Sequence, residues 1–177
     1  AAFMALKQML RFLKFEMTLG LTYYKSQDWK PNEFPQLEYH SDASLADCHT
    51  TAKTQGGYCA NFPGQAVTTF VSRQSALICT STFHAETHFC SIAAKDIMYK
   101  RRLFRELGFL LTGPTPLYVD NAAVMLDAGS DIRKFSQQSK HFSIGERFVH
   151  QCVDDGDIVL LKVSGKSHKA DALTKPL

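Results

Sequence analysis

Pro116-Leu117-Tyr118-Val119-Asp120 is a short apolar run that stops on an acid. Leu, Tyr and Val in such a run read as a strand, with Asp120 at its end. The run follows a long helical segment, about Thr82 to Leu107, whose apolar side is Phe89, Ile92, Ala93, Ile97, Leu103 and Leu107 and whose stop is Gly108. After it, Asn121–Leu126 opens a short helix ended by Gly129, and Ser139–Val153 is another, closed by Asp154-Asp155-Gly156. Ile158–Val163 is an apolar, β-branched strand, and Lys169–Thr174 is a last helical turn.

The residues before the long helix read differently. Leu37–Ser41 is a strand ending at Asp42, and Gln55–Asn61 and Ala66–Ser72 are two more, joined around Pro63-Gly64 as an antiparallel meander. Leu77–Thr80 is an edge or a connection. Three meander strands followed by βα units give an α/β chain, a mixed five-stranded sheet with helices packed on it. Upstream, residues 1–19 form an amphipathic helix with Phe3, Leu6, Leu10 and Leu13 at helical spacing and Gly20 as its end. Leu21–Tyr24 reads as a short strand and Ser26–Pro35 as a linker. This divides the chain into a connecting segment, 1–35, and a main domain, 36–177.

Four acids punctuate these elements: Asp42 in YHSDASLAD, Glu86 in FHAETHF, Asp120 in LYVDNAA and Asp171 in SHKADALTK. Singly, such an acid is usually a solvated turn residue or a helix cap. Three of the four sit where a strand or helix begins or ends, and four at once, in the order Asp, Glu, Asp, Asp, suggest one shared site. The strand ending at Asp42 must then lie beside the strand ending at Asp120, with Glu86 and Asp171 reaching in from helices. Carboxylates drawn to one point repel each other unless cations neutralise them. Oxygen ligands favour Mg²⁺ or Mn²⁺ over zinc, and the expected chemistry is two-metal phosphodiester hydrolysis.

The 177 residues, 45% of them hydrophobic, suffice for one ordinary core. The net charge of +3 fits nucleic acid without requiring it. Three groups of cations stand out: Lys7/Arg11/Lys14, Lys100–Arg102 with Arg105, and Lys162, Lys166, Lys169 and Lys175. Each is either a solvated face or a phosphate-binding patch, and the Lys100–Arg105 group is the favoured one for nucleic acid. The five cysteines form no CxxC pair, which argues against zinc and a disulfide framework and for buried thiols in a reducing compartment, cytoplasmic or nuclear. His84 and His88 are four apart on a helix, but no HExxH pattern supplies a zinc site. No apolar run reaches membrane-spanning length, and no secretory signal is visible. A chain opening on Ala1 reads as a cut fragment or processed piece.

Read together, these segments resemble the ribonuclease H domain of copia-type (Pseudoviridae) LTR-retrotransposon Pol polyproteins, over nearly the whole chain. ALKQMLRFLKFEMTLGLTY resembles the stretch between reverse transcriptase and nuclease, and YHSDASLAD resembles Y-S-D-A-D-W-A-G-D. TQGGY and TFVSRQSALICTSTFHAET resemble the motif that ends in S-S-T-E-A-E-Y. RRLFRELGF, PTPLYVDNAAVML, SKHFSIGERFVHQCVDDGDI and KADALTKPL then follow the family pattern in order. The chain departs from it at Ser44, Leu45, Phe70 and His84. The resemblance implies a ribonuclease H-like fold with helices on both faces of the sheet. It also implies a pair of Mg²⁺ ions held by Asp42, Glu86, Asp120 and Asp171, with Mn²⁺ as a substitute. The implied activity is cleavage of the RNA strand of an RNA/DNA hybrid, and the implied neighbour is a reverse transcriptase domain.

His168, three residues before Asp171, has two readings: a catalytic histidine that activates water or helps product leave, or a solvated loop residue. His141 is a packing residue or a substrate contact, and Asn121 is a helix cap before it is a hybrid contact. Two competing functions stay open. One is a domesticated copy acting as a non-catalytic binding or structural subunit of a larger complex. The other is a DNA-cutting integrase or resolvase of the same fold.

Overall fold

The computed structural model describes residues 2–25, 30, 33, 36–45, 51–120 and 143–174. The expected helix at Asn121–Leu126, Gly129, His141, Cys48, Lys175 and most of the linker lie outside the described residues. Five strands form one sheet: β1 (Glu38–Ser44), β2 (Gln55–Asn61), β3 (Val67–Gln74), β4 (Thr115–Val119) and β5 (Ile158–Lys162), in the order β3-β2-β1-β4-β5. β1, β2 and β3 pair antiparallel, and β4 runs parallel to both β1 and β5. The sheet is therefore mixed, as the sequence predicts. Among the described residues three α-helices accompany it: α1 (Ala2–Phe15), α2 (Thr82–Glu106) and α3 (Ser143–Asp154). Two 3₁₀ turns, η1 (Gly165–Ser167) and η2 (Lys169–Leu173), follow β5.

Alternation along the strands sorts the two faces. Tyr39 donates to Asp96 on α2 at 2.9 Å, and Ala43 packs with Ala85 and Phe89 of the same helix. Residues 38, 40, 42 and 44 of β1 therefore face the opposite side. Gly56-Gly57 on β2 shows why the sequence has no side chain there. A Cβ on Gly56 would overlap the Phe89 ring, and one on Gly57 would overlap Val71 O and stand 3.2 Å from Leu173 Cβ of η2. Thus α2 presses on one face and η2 on the other. The core lies between the sheet and α2/α3, around Tyr39, Ala93, Ile97, Leu117, Val149 and Ile158.

α2 begins at Ser81, whose Oγ accepts from His84 N at 3.1 Å. It ends where Gly108 takes φ +83°, with Gly108 N donating to Arg105 O and Phe109 N to Phe104 O. The Phe104 and Phe109 rings meet edge to face across this Schellman turn.

Two expectations change and one is decided between its alternatives. β1 continues to Ser44, so Asp42 lies inside the strand and not at its end; pairing with Gly57 and Gly56 extends the ladder past the acid. Leu21–Tyr24 has no strand partner and is held by Tyr23 Oη to Val67 O at 2.6 Å and Tyr24 N to Gln65 Oε1 at 2.7 Å. Leu77–Thr80 is a connection, turned by Ser75 Oγ accepting from Leu77 N.

Candidate metal centre

The β1–β4 pairing creates the site. Tyr39 is level with Leu117 and His40 with Tyr118. Continuing that register by two residues sets Asp42 level with Asp120. Parallel neighbours carry their side chains on matching faces, so the two acids share the face opposite α2. From the far end of the chain, the η1–η2 segment folds over this face and brings His168 to the same point. Asp42, Asp120 and His168 each offer a ligand atom, and these atoms all lie within 4.8 Å of one another.

The donors are largely withdrawn from water. Asp42 is 7% exposed and His168 4%. Asp42 Oδ2 accepts from Thr174 Oγ1 at 2.5 Å. Asp120 Oδ1 and both ring nitrogens of His168 are buried with no hydrogen-bond partner among the described residues. Buried polar atoms in folded proteins are nearly always satisfied. Two neighbouring carboxylates, one with a buried unpaired oxygen, and an imidazole beside them are the donor set that a divalent cation satisfies. The residues present fit such an ion.

Glu86 and Asp171 stand outside this grouping. Glu86 is buried in the second turn of α2, close enough to Cys90 that its charge adds to burial in pushing that thiol up to about 12. Asp171 is half-buried in η2, where its backbone carbonyl accepts from Thr174 Oγ1 at 3.1 Å. Neither belongs to the set of atoms within 4.8 Å. Among the described residues no such set includes His84 or His88 either. Instead, His84 Nδ1 accepts from Thr80 N at 3.4 Å.

His168 is not a solvated loop residue. His40 and Tyr118 stack at 4.8 Å between ring centroids, 18° from parallel, and His168 tilts against His40 at 5.6 Å. Burial, then the nearby Lys169 and His168, push His40 down to about 4, so it is neutral at physiological pH. His40, Tyr118 and Thr174 were not singled out from sequence. The signal for His40 was its spacing of two from Asp42 on a strand, and for Thr174 its spacing of three from Asp171.

The cationic group on α2 serves the fold. Lys100 pairs with Asp96 at 2.9 Å, Arg101 and Arg105 with Asp157 at 2.8 and 3.0 Å, and Arg102 with Glu106 at 2.8 Å. Arg101 also donates to Thr115 Oγ1, at the start of β4, roughly 16 Å along the strand from Asp120. Exposed Arg73 is level with Gly56 at the Asp42 end of the sheet, whereas the Lys169 ammonium bonds Asn61 at 3.0 Å and pairs with Glu38 at 3.7 Å, level with the other end of β1.

No protein-family model matches the chain. It is 28% identical over 142 residues, 80% of its length, to the retrovirus-related Pol polyprotein from transposon TNT 1-94 of Nicotiana tabacum. It is 27% identical over 98% of its length to that from transposon RE1 of Arabidopsis thaliana. The chain is homologous to copia-type transposon Pol polyproteins. It spans 10% and 11% of the lengths of these two relatives. Among solved structures, a foamy viral protease-reverse transcriptase in complex with dsDNA superposes with TM-score 0.58 at 15% identity, covering 82% of this chain and 96% of that one. A ribonuclease H1 isolated from compost, in complex with an RNA/DNA hybrid, superposes with TM-score 0.56 at 10% identity, covering 78% and 93%. This transposon-related chain therefore has the ribonuclease H-like fold.

Proposed function

We propose that the chain is a divalent-metal-dependent endonuclease that hydrolyses the RNA strand of RNA/DNA hybrids, as the nuclease part of a retroelement reverse-transcription machinery. The observation that carries this reading is the meeting of Asp42, Asp120 and His168 beneath the η1–η2 segment, with Asp120 Oδ1 and both His168 ring nitrogens buried and without a partner among the described residues. Asp42 and Asp120 would hold the cation, Mg²⁺ with Mn²⁺ as a substitute. Glu86 and Asp171, assigned by the four-acid pattern, would complete a two-ion site. When bound, the ions supply a lowered water pKa and charge stabilisation at the leaving oxygen.

The chain's own residues do the rest. Thr174 holds one carboxylate oxygen of Asp42 and so sets its rotamer. Burial excludes bulk water and strengthens each charge interaction. His168, with a ring nitrogen within 4.8 Å of both acids, would carry a proton to or from a reacting oxygen. Arg73, near this end of the sheet, would contact backbone phosphates, and RNA would be distinguished through its 2′-hydroxyls. Residues 1–35 form a connecting segment in this reading, and the exposed apolar side of α1 faces a neighbouring reverse transcriptase domain.

The test is cleavage of a strand-labelled RNA/DNA hybrid in Mg²⁺ by the intact chain and by Asp120→Asn. The expected result is cut RNA, an uncut DNA strand, and a loss on the order of 10²-fold or more in the variant. A hybrid that binds but stays intact would replace the enzyme with a binding subunit. Cutting of duplex DNA would replace the substrate.

A further inference from the structure

His40 lies outside the four-acid pattern, yet it is buried at the centre of the site. It alternates with Asp42 on β1 and stands level with Tyr118 on β4. Its ring covers the Tyr118 ring on one side and meets His168 on another. Its Nδ1 has no hydrogen-bond partner among the described residues, so ring packing is what the structure shows it doing.

His168 needs such a support. It joins two short 3₁₀ turns, and its backbone N–H reaches only Gly165 O, at 3.3 Å. Neither ring nitrogen has a hydrogen-bond partner among the described residues. Local bonding therefore leaves the imidazole free to turn about its side-chain torsions. Packing against a ring fixed to two adjacent central strands removes that freedom. The two strands are the ones that carry Asp42 and Asp120, so the same register sets both the acids and the support.

We infer that His40, backed by Tyr118, is a positioning residue that holds the His168 imidazole against the Asp42–Asp120 pair. The inference rests on the proposed role of His168 at this site. His40 contacts no reacting atom in this account.

The test compares His40→Ala, His40→Phe and Tyr118→Leu with the intact chain. The metal-free proteins are examined first, by the ring nitrogen and carbon resonances of His168, and then titrated with Mn²⁺. The expected result is a shifted or broadened His168 signal in His40→Ala and Tyr118→Leu, with Phe restoring most of the native signal. On the hybrid, the Ala variant should lose kcat by roughly 10- to 100-fold with little change in KM, and Phe should recover most of that loss. Identical His168 signals in the Ala variant and the intact chain would overturn the inference. So would a Phe variant as impaired as Ala, since a ring of similar shape would then not suffice. Tyr118→Leu keeps the test decisive if His40→Ala does not fold. An intact chain that fails to cut the hybrid, while His168 still responds to His40, would overturn the proposed nuclease and leave the positioning role standing.

Discussion

Thr174 and His40 show how single side chains at this site act through others. Thr174 is 2% exposed; its hydroxyl donates to Asp42 Oδ2 and its backbone N–H to the Asp171 carbonyl at 3.3 Å. It thereby links the first and last acids of the pattern. Thr174→Val keeps the shape and removes the donor, so Mn²⁺ affinity should fall by roughly 10- to 100-fold with the fold intact; calorimetric titration of the variant checks this. His40 makes a different prediction. Its folded pKa is about 4 because burial, Lys169 and His168 all disfavour the charged ring. The unfolded chain, with an ordinary histidine near 6.5, binds a proton first as the pH falls. Stability from this residue is thus full above about pH 6.5, declines through the window down to about pH 4, and levels off below it. Urea midpoints between pH 7 and 4 should show that decline, and His40→Phe should flatten it.

At the scale of elements, α1 and α2 contrast. α2 sinks Ala85, Phe89, Ala93 and Ile97 into the core, and its ends are capped by Ser81 and Gly108. α1 has the same kind of amphipathic pattern, yet Leu6, Leu10 and Leu13 remain about half exposed. A helix of this length gains most of its stability from a packed apolar face, and here none of the described residues of the sheet buries it. Leu6→Asp with Leu10→Asp should therefore leave the melting temperature of the isolated chain within about 1 °C, since exposed substitutions cost little. The same pair should change solubility or partner binding once a neighbouring domain is present. Thermal melts with and without that domain distinguish the cases. The periodicity of α1 was legible in sequence, but whether its apolar side is covered was not, because a hydrophobic stripe specifies that something must bury it without specifying what.

At the scale of the whole molecule, Asp157 ties together the end of α2, the turn after α3 and the start of β4. Its carboxylate takes Arg101 and Arg105, while Asp157 O accepts from Thr115 N at 2.8 Å. Removing one partner of a buried pair leaves the other charge uncompensated, so Asp157→Asn should cost about 3 kcal/mol or more, read as a lower denaturation midpoint with an unchanged slope. This network also shows what charge spacing along the Lys100–Arg105 run does not record: Lys100 and Arg102 pair with Asp96 and Glu106 on the same helix, whereas Arg101 and Arg105 share Asp157 from a distant segment. What the residues alone determined is local or periodic: five strands within a few residues of their observed bounds, the long helix with its stop at Gly108, and a mixed sheet that must seat β1 beside β4. Those follow from alternation, helical repeat and turn chemistry, which act over a few residues. Only the tertiary structure decided that Asp42 and Asp120 meet with His168, that Glu86 and Asp171 stand apart from that set, and that His168 is buried against His40. Such placements depend on register and ring packing between segments far apart in sequence, where no local pattern records the distance.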